Sequence, residues 1–247
     1  MSQTTIVFVH GAGISSWMWR QQVEGLTAFS TIAVSLPGHV GSDRPWTTVA
    51  EAATVVAEVI RNQVPGGKAH VVGLSLGGVV GLELLAQAPD TVDRMVLSGT
   101  LAVGLPGARF LAGLAAISLP LATLGPMARL SARMMGIPPS DYASLQADIA
   151  RLDAGPLRQM VLDVASYRPP PALAERSHRV LVVAGSKEHP RIRRSVGVLT
   201  GLMPGASGAV IPGGIHTWNW QFPDQFNQLV TDWIDRAAIA NFAKKST

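Results

Sequence analysis

The chain has 247 residues, of which 47% are hydrophobic and 15% charged, and it contains no cysteine. This composition supports a sizeable buried core and excludes an intrinsically disordered chain. The length suits one or two domains, and we favour one, because α/β folds of ~250 residues often form a single domain. The lack of cysteine excludes disulfide bonds, thiolate zinc sites and cysteine nucleophiles, so the six histidines carry any imidazole chemistry.

The formal net charge of +4 comes mainly from one segment. Residues 168–194 carry seven basic and two acidic side chains, without interleaved aromatic residues. Such a run is more typical of a solvated helix face than of a surface that follows phosphates. We therefore expect no nucleic-acid partner.

Six short apolar runs separated by longer helical patterns predict the strands of a sheet. Each run is nearly continuously apolar, as expected for parallel strands that helices cover on both faces. The predicted strands are residues 4–9, 31–35, 69–73, 94–98, 179–184 and 209–211.

The segments between these runs predict helices. Residues 48–64 open with Thr48 and Glu51 at capping-box spacing, and residues 76–88 stop before Pro89. A C-terminal segment from 222 to about 243 has its apolar residues at helical spacing. Alternation of strand and helix predicts an α/β fold with a mostly parallel, doubly wound sheet and helices on both faces.

Residues 101–176 interrupt this alternation. They show helical patterns cut by several prolines and no convincing strand, which predicts a helical cap inserted after the fourth strand. The core would then comprise residues 1–100 and 177–247. The most hydrophobic stretch, 110–125, contains Pro120 and is shorter than the ~18 to 20 residues that span a bilayer, so no stable membrane insertion is expected. A homodimer formed through the cap is a further expectation.

The N-terminus lacks the features of a secretory signal. An apolar run at 6–9 follows Met1 without a basic region before it, and no cleavage site follows. The expected location is the cytoplasm.

The sequence Gly73-Leu74-Ser75-Leu76-Gly77 follows the third predicted strand and precedes a helix. This is the context in which a G-x-S-x-G pattern forms a nucleophile elbow, a sharp turn that presents the serine hydroxyl at the carboxyl edge of the sheet. A glycine-rich turn with an incidental serine is the alternative. Ser75 is therefore the candidate nucleophile.

A serine hydroxyl needs a general base, and His216 is the candidate. It lies just beyond the last predicted strand, in the run 213–216, and so at the same sheet edge as Ser75. A solvent-exposed loop histidine is the alternative interpretation.

The other histidines fit this role less well. His70 and His178 begin or precede strands and so belong to the opposite edge, while His10 and His39 lie in glycine-containing loops where structural roles are expected. His189 is a rival because it also follows a strand.

The base in turn needs an acceptor that fixes its tautomer, and Glu188 is the candidate. It follows the fifth predicted strand in the run 185–188, whereas the run 98–100 after the preceding strand offers no carboxylate. A loosely paired surface glutamate is the alternative. Backbone N–H groups of Ala12 and Leu76 are the candidate donors to a developing oxyanion.

With these residues, the sequence resembles the α/β-hydrolase superfamily over nearly its whole length. The chain order Ser75, Glu188, His216 is the order of nucleophile, acid and base in that family. Three positions differ from the usual family pattern: Val40 replaces a glycine, Ser35 an aspartate, and Glu188 the more common aspartate. The matching segments are 9–13 with Trp17 and Trp19, 36–45, the elbow 73–78, 185–188, and 213–216 followed by Pro223.

The resemblance implies a serine hydrolase that forms an acyl-enzyme, with no cofactor and no metal. Serine at the elbow argues against relatives that carry aspartate there, the haloalkane dehalogenases and epoxide hydrolases. We predict cleavage of a small to medium, fairly apolar carboxylic ester. Lactonase, thioesterase and carbon–carbon bond hydrolase activities remain open, as does a ligand receptor without turnover.

Substrate contacts are expected from the loop after the first strand and from the cap. Cap residues with apolar side chains at helical spacing could line the site or form a packing stripe. The predicted substrate-binding residues are Gly11, Trp17, Phe110, Leu114, Ile117 and Leu121, and Leu111 and Leu124 belong to the same apolar set.

Overall fold

The computed structural model describes residues 4–122 and 125–236, and for residues 118–122 and 236 it describes the backbone alone. Six parallel strands form one sheet in the order β2-β1-β3-β4-β5-β6. This confirms the predicted parallel α/β sheet. The strands are β1 (Thr5–Val9), β2 (Ser30–Val34), β3 (Ala69–Leu74), β4 (Val92–Ser98), β5 (Arg179–Gly185) and β6 (Ala206–Ile211).

The central strands are buried on both faces, because helices cover the sheet on each side. In β1, Val7 and Val9 face one apolar core while Ile6 and Phe8 face the other. The edge strands β2 and β6 are partly exposed. Strand β6 begins at Ala206, three residues before the predicted strand, because its first residues are small or polar and carry no hydrophobic signal.

Ten α-helices are described between Thr4 and Arg236. Residues of α2, α3 and α8 pack into the core on one face of the sheet, and residues of α10 pack into the core on the other. The helices are α1 (Arg20–Gly25), α2 (Val49–Gln63), α3 (Leu76–Gln87), α4 (Ala108–Ala122), α5 (Gly125–Met134), α6 (Tyr142–Arg151), α7 (Ala154–Ser166), α8 (Pro190–Leu202), α9 (Trp218–Gln221) and α10 (Pro223–Arg236).

Local signals for the helix ends are borne out where they are described. Thr48 Oγ1 accepts a hydrogen bond from the Glu51 N–H at 3.1 Å at the start of α2, and α3 ends two residues before Pro89. Helix α10 is described to Arg236, and residues 237–243 of the predicted helix lie outside the described residues.

Helices α4 to α7 lie between β4 and β5 in the chain. Helix α4 packs against α7, and α5 packs against α6. Met160 of α7 is buried in the same apolar core as residues of α2 and α3. The boundaries 101–176 of a separate cap stay a prediction. Within the described parts of the chain, no helix combines the length and the apolar character needed to cross a membrane.

Candidate active site

Ser75 occupies the single-residue turn between β3 and α3. Its φ of 58° and ψ of −113° make it the only non-glycine residue with positive φ among those described. The Ser75 N–H donates to the carbonyl oxygen of Ser98 at 2.9 Å, and the Ser75 carbonyl accepts from the N–H groups of Gly78 and Val79. The end of the neighbouring strand and the first turn of the helix thus hold a backbone conformation that an L-residue rarely adopts.

Two glycines allow this turn to be so sharp. A Cβ at Gly73 would lie 2.4 Å from the carbonyl oxygen of Gly77, and a Cβ at Gly77 would lie 2.1 Å from that of Val9. Both contacts are with backbone, which cannot rotate away. The glycines of the motif therefore serve close packing of strand against helix.

His216 and Glu188 form a hydrogen-bonded pair at the same edge of the sheet. The Nδ1 of His216 bonds to Oε1 of Glu188, and Glu188 Oε2 accepts from the Gly185 N–H at 2.7 Å. The Glu188 side chain is 1% exposed, whereas that of His216 is 40% exposed. With the proton on Nδ1, the other ring nitrogen, Nε2, is left as an acceptor.

Contacts with neighbouring loops hold His216 in this place. The Ile215 N–H donates to Gln221 Oε1 at 2.9 Å, and the Thr217 hydroxyl donates to the carbonyl oxygen of Met135. Trp218 Nε1 donates to Ser98 Oγ at 2.8 Å. Because the Ser98 carbonyl also accepts from Ser75, the end of β4 connects the elbow with the histidine loop.

A small cavity of about 70 Å³ brings several predicted residues together. Ser75 and His216 both line it, as do Gly11 and Ala12 of the loop after β1. The other lining residues, mostly apolar, are Ile14, Met18, Leu74, Met135 and Thr217. The sequence did not predict these five residues at the site, and no local sequence pattern marks Met135 or Thr217.

Of the two predicted oxyanion donors, Ala12 lines this cavity and Leu76 directly follows Ser75 in the chain. Leu76 is the first residue of α3, so its N–H has no carbonyl partner within the helix. For the Ala12 N–H, the structure gives no hydrogen bond within the residues it describes. Both groups are available to a negatively charged oxygen.

Two buried histidines brace the loop that carries Ala12. Nε2 of His10 accepts from the Leu36 N–H at 3.0 Å, and Nε2 of His39 accepts from the Gly13 N–H at 3.1 Å. Burial, reinforced by the neighbouring His39, lowers the pKa of His10 to about 3. Burial also lowers the pKa of His39. These neutral rings have the structural place that the sequence predicts for them.

Other histidines lie away from the cavity. His189 is exposed at the start of α8, where its Nδ1 accepts from the Arg191 N–H at 3.2 Å. His70 is the second residue of β3 and His178 directly precedes β5, at the opposite edge.

Four of the other predicted substrate contacts do not line the cavity: Trp17, Phe110, Leu114 and Ile117. Trp17 stacks on Trp220 with ring centroids 5.7 Å apart. Phe110 and Ile117 are 74% and 77% exposed on α4, and Leu114 is exposed as well. The side chain of Leu121 lies outside the described residues, as does that of Leu124. For Trp17 and the three exposed residues, the predicted contact with substrate has no support from their positions.

A metal site is not evident in the described part of the chain. No three side chains of histidine, cysteine, aspartate or glutamate lie together there in a way that could hold an ion. The polar groups around the cavity are a hydroxyl, an imidazole paired with a carboxylate, and backbone N–H groups.

Comparison with known proteins defines the family. A model of the alpha/beta hydrolase family matches residues 6–229. Because this match covers most of the chain, the protein belongs to the alpha/beta hydrolase family.

Individual relatives are more distant. An esterase of Mycobacterium tuberculosis is 37% identical over 100 residues, which are 39% of this chain and 33% of the relative. Matches to the first curated relatives thus span about a third of those proteins' length. A putative carbamate hydrolase of a Caulobacter species is 26% identical over 95% of this chain and 91% of its own.

Solved structures share the fold. The enol-lactonase from Burkholderia xenovorans superposes with a TM-score of 0.76 at 22% identity, covering 95% of this chain and 92% of its own. At this identity the likeness establishes the architecture alone.

Proposed function

We propose that this protein is a serine hydrolase that cleaves a small to medium, fairly apolar carboxylic ester through an acyl-enzyme. One observation carries the proposal: the His216 ring, bonded to the buried carboxylate of Glu188, lines the same cavity as the strained Ser75. A nucleophile, a base and an acid that orients the base are the parts this reaction needs.

Each residue has a role that its surroundings favour. His216 Nε2 takes the proton of Ser75 as the serine oxygen attacks the ester carbonyl carbon. Glu188 holds the Nδ1 proton and stabilises the imidazolium that forms. His216 then gives its proton to the departing alcohol, which leaves an ester between the acyl group and Ser75.

Release of the acyl group repeats these steps with water. His216 takes a proton from a water molecule as the water oxygen attacks the acyl carbon. The bond between the acyl carbon and the Ser75 oxygen then breaks, the protonated ring returns its proton to that oxygen, and the carboxylic acid leaves. The tetrahedral intermediates carry a negative charge on oxygen, for which the Ala12 and Leu76 N–H groups are the proposed donors.

The cavity supports the substrate class. Its volume of about 70 Å³ is small beside the roughly 300 to 1,000 Å³ of typical ligand pockets. Ile14, Met18, Leu74 and Met135 line it with apolar atoms, which suits a short, apolar acyl group.

Esterase names among the curated relatives agree with this assignment. Besides the mycobacterial esterase, the relatives include a pimeloyl-[acyl-carrier protein] methyl ester esterase of Nitrosomonas europaea, 38% identical over 37% of this chain and 35% of its own. Lactones and thioesters react at the same carbonyl carbon, so they belong in the substrate panel.

The test is hydrolysis of p-nitrophenyl esters of increasing acyl length by the wild type, Ser75→Ala and Glu188→Gln. We expect a burst of p-nitrophenol equal to the enzyme concentration, followed by a slower steady rate. Ser75→Ala should lose about 10⁶-fold in kcat and Glu188→Gln about 10⁴-fold, by analogy with measured triads. Ser207→Ala, on the exposed side of β6, is the matched control and should keep wild-type rates.

The alternative of a ligand receptor predicts a different result. A wild type that binds esters without turnover at any acyl length would contradict the hydrolase proposal and favour the receptor. Unchanged kcat in Glu188→Gln would remove Glu188 from the proposed triad.

A further inference from the structure

Asp148 of α6 is a buried carboxylate that the proposed reaction does not use. It is 4% exposed and accepts hydrogen bonds from the Ser15 N–H at 2.7 Å, the Ser15 hydroxyl at 2.8 Å and the Trp17 Nε1–H at 2.6 Å. All three donors lie in one three-residue stretch of the loop after β1, more than 130 residues away in the chain.

The buried carboxylate of Asp148 has its hydrogen-bond donors in this loop. Among the ion pairs of the described residues, none involves Asp148. A buried ionised carboxylate without a cation is tolerated only where hydrogen-bond donors replace its lost hydration. Ser15 and Trp17 supply those donors, so displacement of the loop would leave a buried charge unsolvated.

The same loop carries the proposed oxyanion donor. Ala12 and Ile14, which precede Ser15, both line the cavity beside Ser75. We infer that Asp148 is a positioning residue, which fixes the loop after β1 so that the Ala12 N–H points at the developing oxyanion. The inference rests on the proposed function, because it assigns Asp148 a part in the same reaction.

A second buried carboxylate holds α6 in place. Asp141, immediately before α6, is ion-paired with the guanidinium of Arg20 in α1. Asp141 and Asp148 are seven residues apart, which is about two helical turns, so both face the same side. Helix α6 is therefore attached to the segment after β1 at both ends of one face.

Trp17, which donates to Asp148, also stacks on Trp220 near the proposed base His216. Trp220 lies in α9, four residues after His216. Asp148 thus acts on a loop that lines the cavity beside Ser75 and also contacts the helix that follows His216. An interaction that organises the transition state should affect kcat more than KM.

The test compares Asp148→Leu, which removes the acceptors, with Asp148→Asn, which keeps the shape and one acceptor oxygen. Rates are divided by the number of active sites titrated with a phosphonate ester, so that unfolded protein does not contribute. Loss of one oxyanion donor costs about 10² to 10³ in kcat in known enzymes. We expect Asp148→Leu to lose about 100-fold in kcat per titrated site with KM nearly unchanged, and Asp148→Asn to recover most of that loss.

Asp163→Leu on α7 is the matched control. Asp163 accepts from the Trp46 Nε1–H at 3.0 Å, the same indole–carboxylate contact at a place that does not line the cavity. Its variant should keep kcat per titrated site even if its melting temperature falls. If Asp148→Leu does not fold, Trp17→Phe removes a donor from the other partner and should lower kcat in the same direction.

A second readout separates this inference from the proposed function. Amide hydrogen exchange of residues 11–17 should be at least tenfold faster in Asp148→Leu than in the wild type, and unchanged in Asp163→Leu. Wild-type kcat per titrated site together with wild-type exchange in Asp148→Leu would overturn the inference. A wild type that neither hydrolyses esters nor reacts with the phosphonate would contradict the proposed function and the catalytic part of this inference, whatever the exchange shows.

Discussion

A methyl group added at Gly99 would lie 2.8 Å from Nδ1 of His216. Gly99 directly follows β4, has a φ of +61°, and donates its N–H to the carbonyl oxygen of Val183 in β5 at 3.0 Å. The same methyl would lie 2.9 Å from Oε1 of Glu188. The backbone at Gly99 thus lies so close to the histidine–carboxylate pair that there is no room for a side chain.

We therefore expect Gly99→Ala to displace His216 and Glu188. A misplacement of about 1 Å can cost about 100-fold in rate, so kcat for short esters should fall by that order. Gly66→Ala is the matched control, because Gly66 also has positive φ, +81°, yet nothing lies within 4 Å of the added Cβ. Both variants should lose stability through backbone strain, and steady-state kinetics should show a loss of kcat in Gly99→Ala alone.

The buried histidines predict loss of stability in mild acid. The pKa of His10 is lowered from 6.5 to about 3, and that of His39 is also lowered, in both cases chiefly by burial. Below pH 6.5 the unfolded chain binds protons at these sites that the folded chain does not, so the free energy of unfolding falls as pH falls. Each histidine contributes a slope of up to about 1.4 kcal/mol per pH unit.

Urea unfolding at pH 7.5, 6.0 and 5.0 measures this effect above the range where most carboxylates titrate. His10→Gln keeps a neutral donor and acceptor. It should reduce the slope of the free energy of unfolding against pH by the contribution of one proton, up to about 1.4 kcal/mol per pH unit. Ser207→Ala, which changes no titratable group, should leave the slope as it is. A free energy of unfolding that is constant over this range would contradict the assignment of His10 and His39 as neutral bracing residues.

Met135 is expected to limit acyl length, because it lines the small cavity beside Ser75. Met135→Ala should raise kcat/KM for longer acyl esters relative to acetate by about tenfold, since the shortened side chain leaves room for additional methylene groups. The neighbouring Met134 is 76% exposed, so Met134→Ala is a close control and should keep the wild-type preference. Equal preferences in the two variants would remove Met135 from the acyl site.

Substitution of Phe110 and Ile117 tests whether the exposed side of α4 contacts the substrate. Their side chains are mostly exposed and do not line the cavity, so the double change to serine should leave KM for short esters within about twofold of wild type. A large rise in KM would restore the contact with substrate that the sequence predicts.

Gel filtration of the same variant tests the predicted homodimer: a dimer that dissociates on substitution supports it, and a monomeric wild type contradicts it.

Much of the architecture could be predicted because it follows from local patterns. The central strands are continuous apolar runs, and the capping residues Thr48 and Glu51 mark the start of α2. The elbow at Ser75 is legible because its two glycines are required by backbone contacts within a few residues or with the neighbouring strand. For edge strand β6 the sequence predicts too short a strand, since small, half-exposed residues give no hydrophobic signal.

The rest depends on contacts between distant parts of the chain. Nothing near Asp148 in the sequence indicates that it meets Ser15 and Trp17. Apolar residues at helical spacing have the same pattern whether they line a site, pack in a core or face solvent, so Phe110 and Ile117 could not be placed by periodicity. Where a helix docks decides such cases, and docking is a property of the folded chain.

The most direct test of the proposed function is labelling of the folded protein with a fluorophosphonate, followed by intact-mass and peptide analysis. We predict one covalent adduct per chain, on the peptide that contains Ser75, formed rapidly by the wild type and slowly by His216→Gln. Ser75→Ala should not be labelled. Absence of labelling in the wild type, or equal labelling of the wild type and Ser75→Ala, would contradict the assignment of Ser75 as an activated nucleophile.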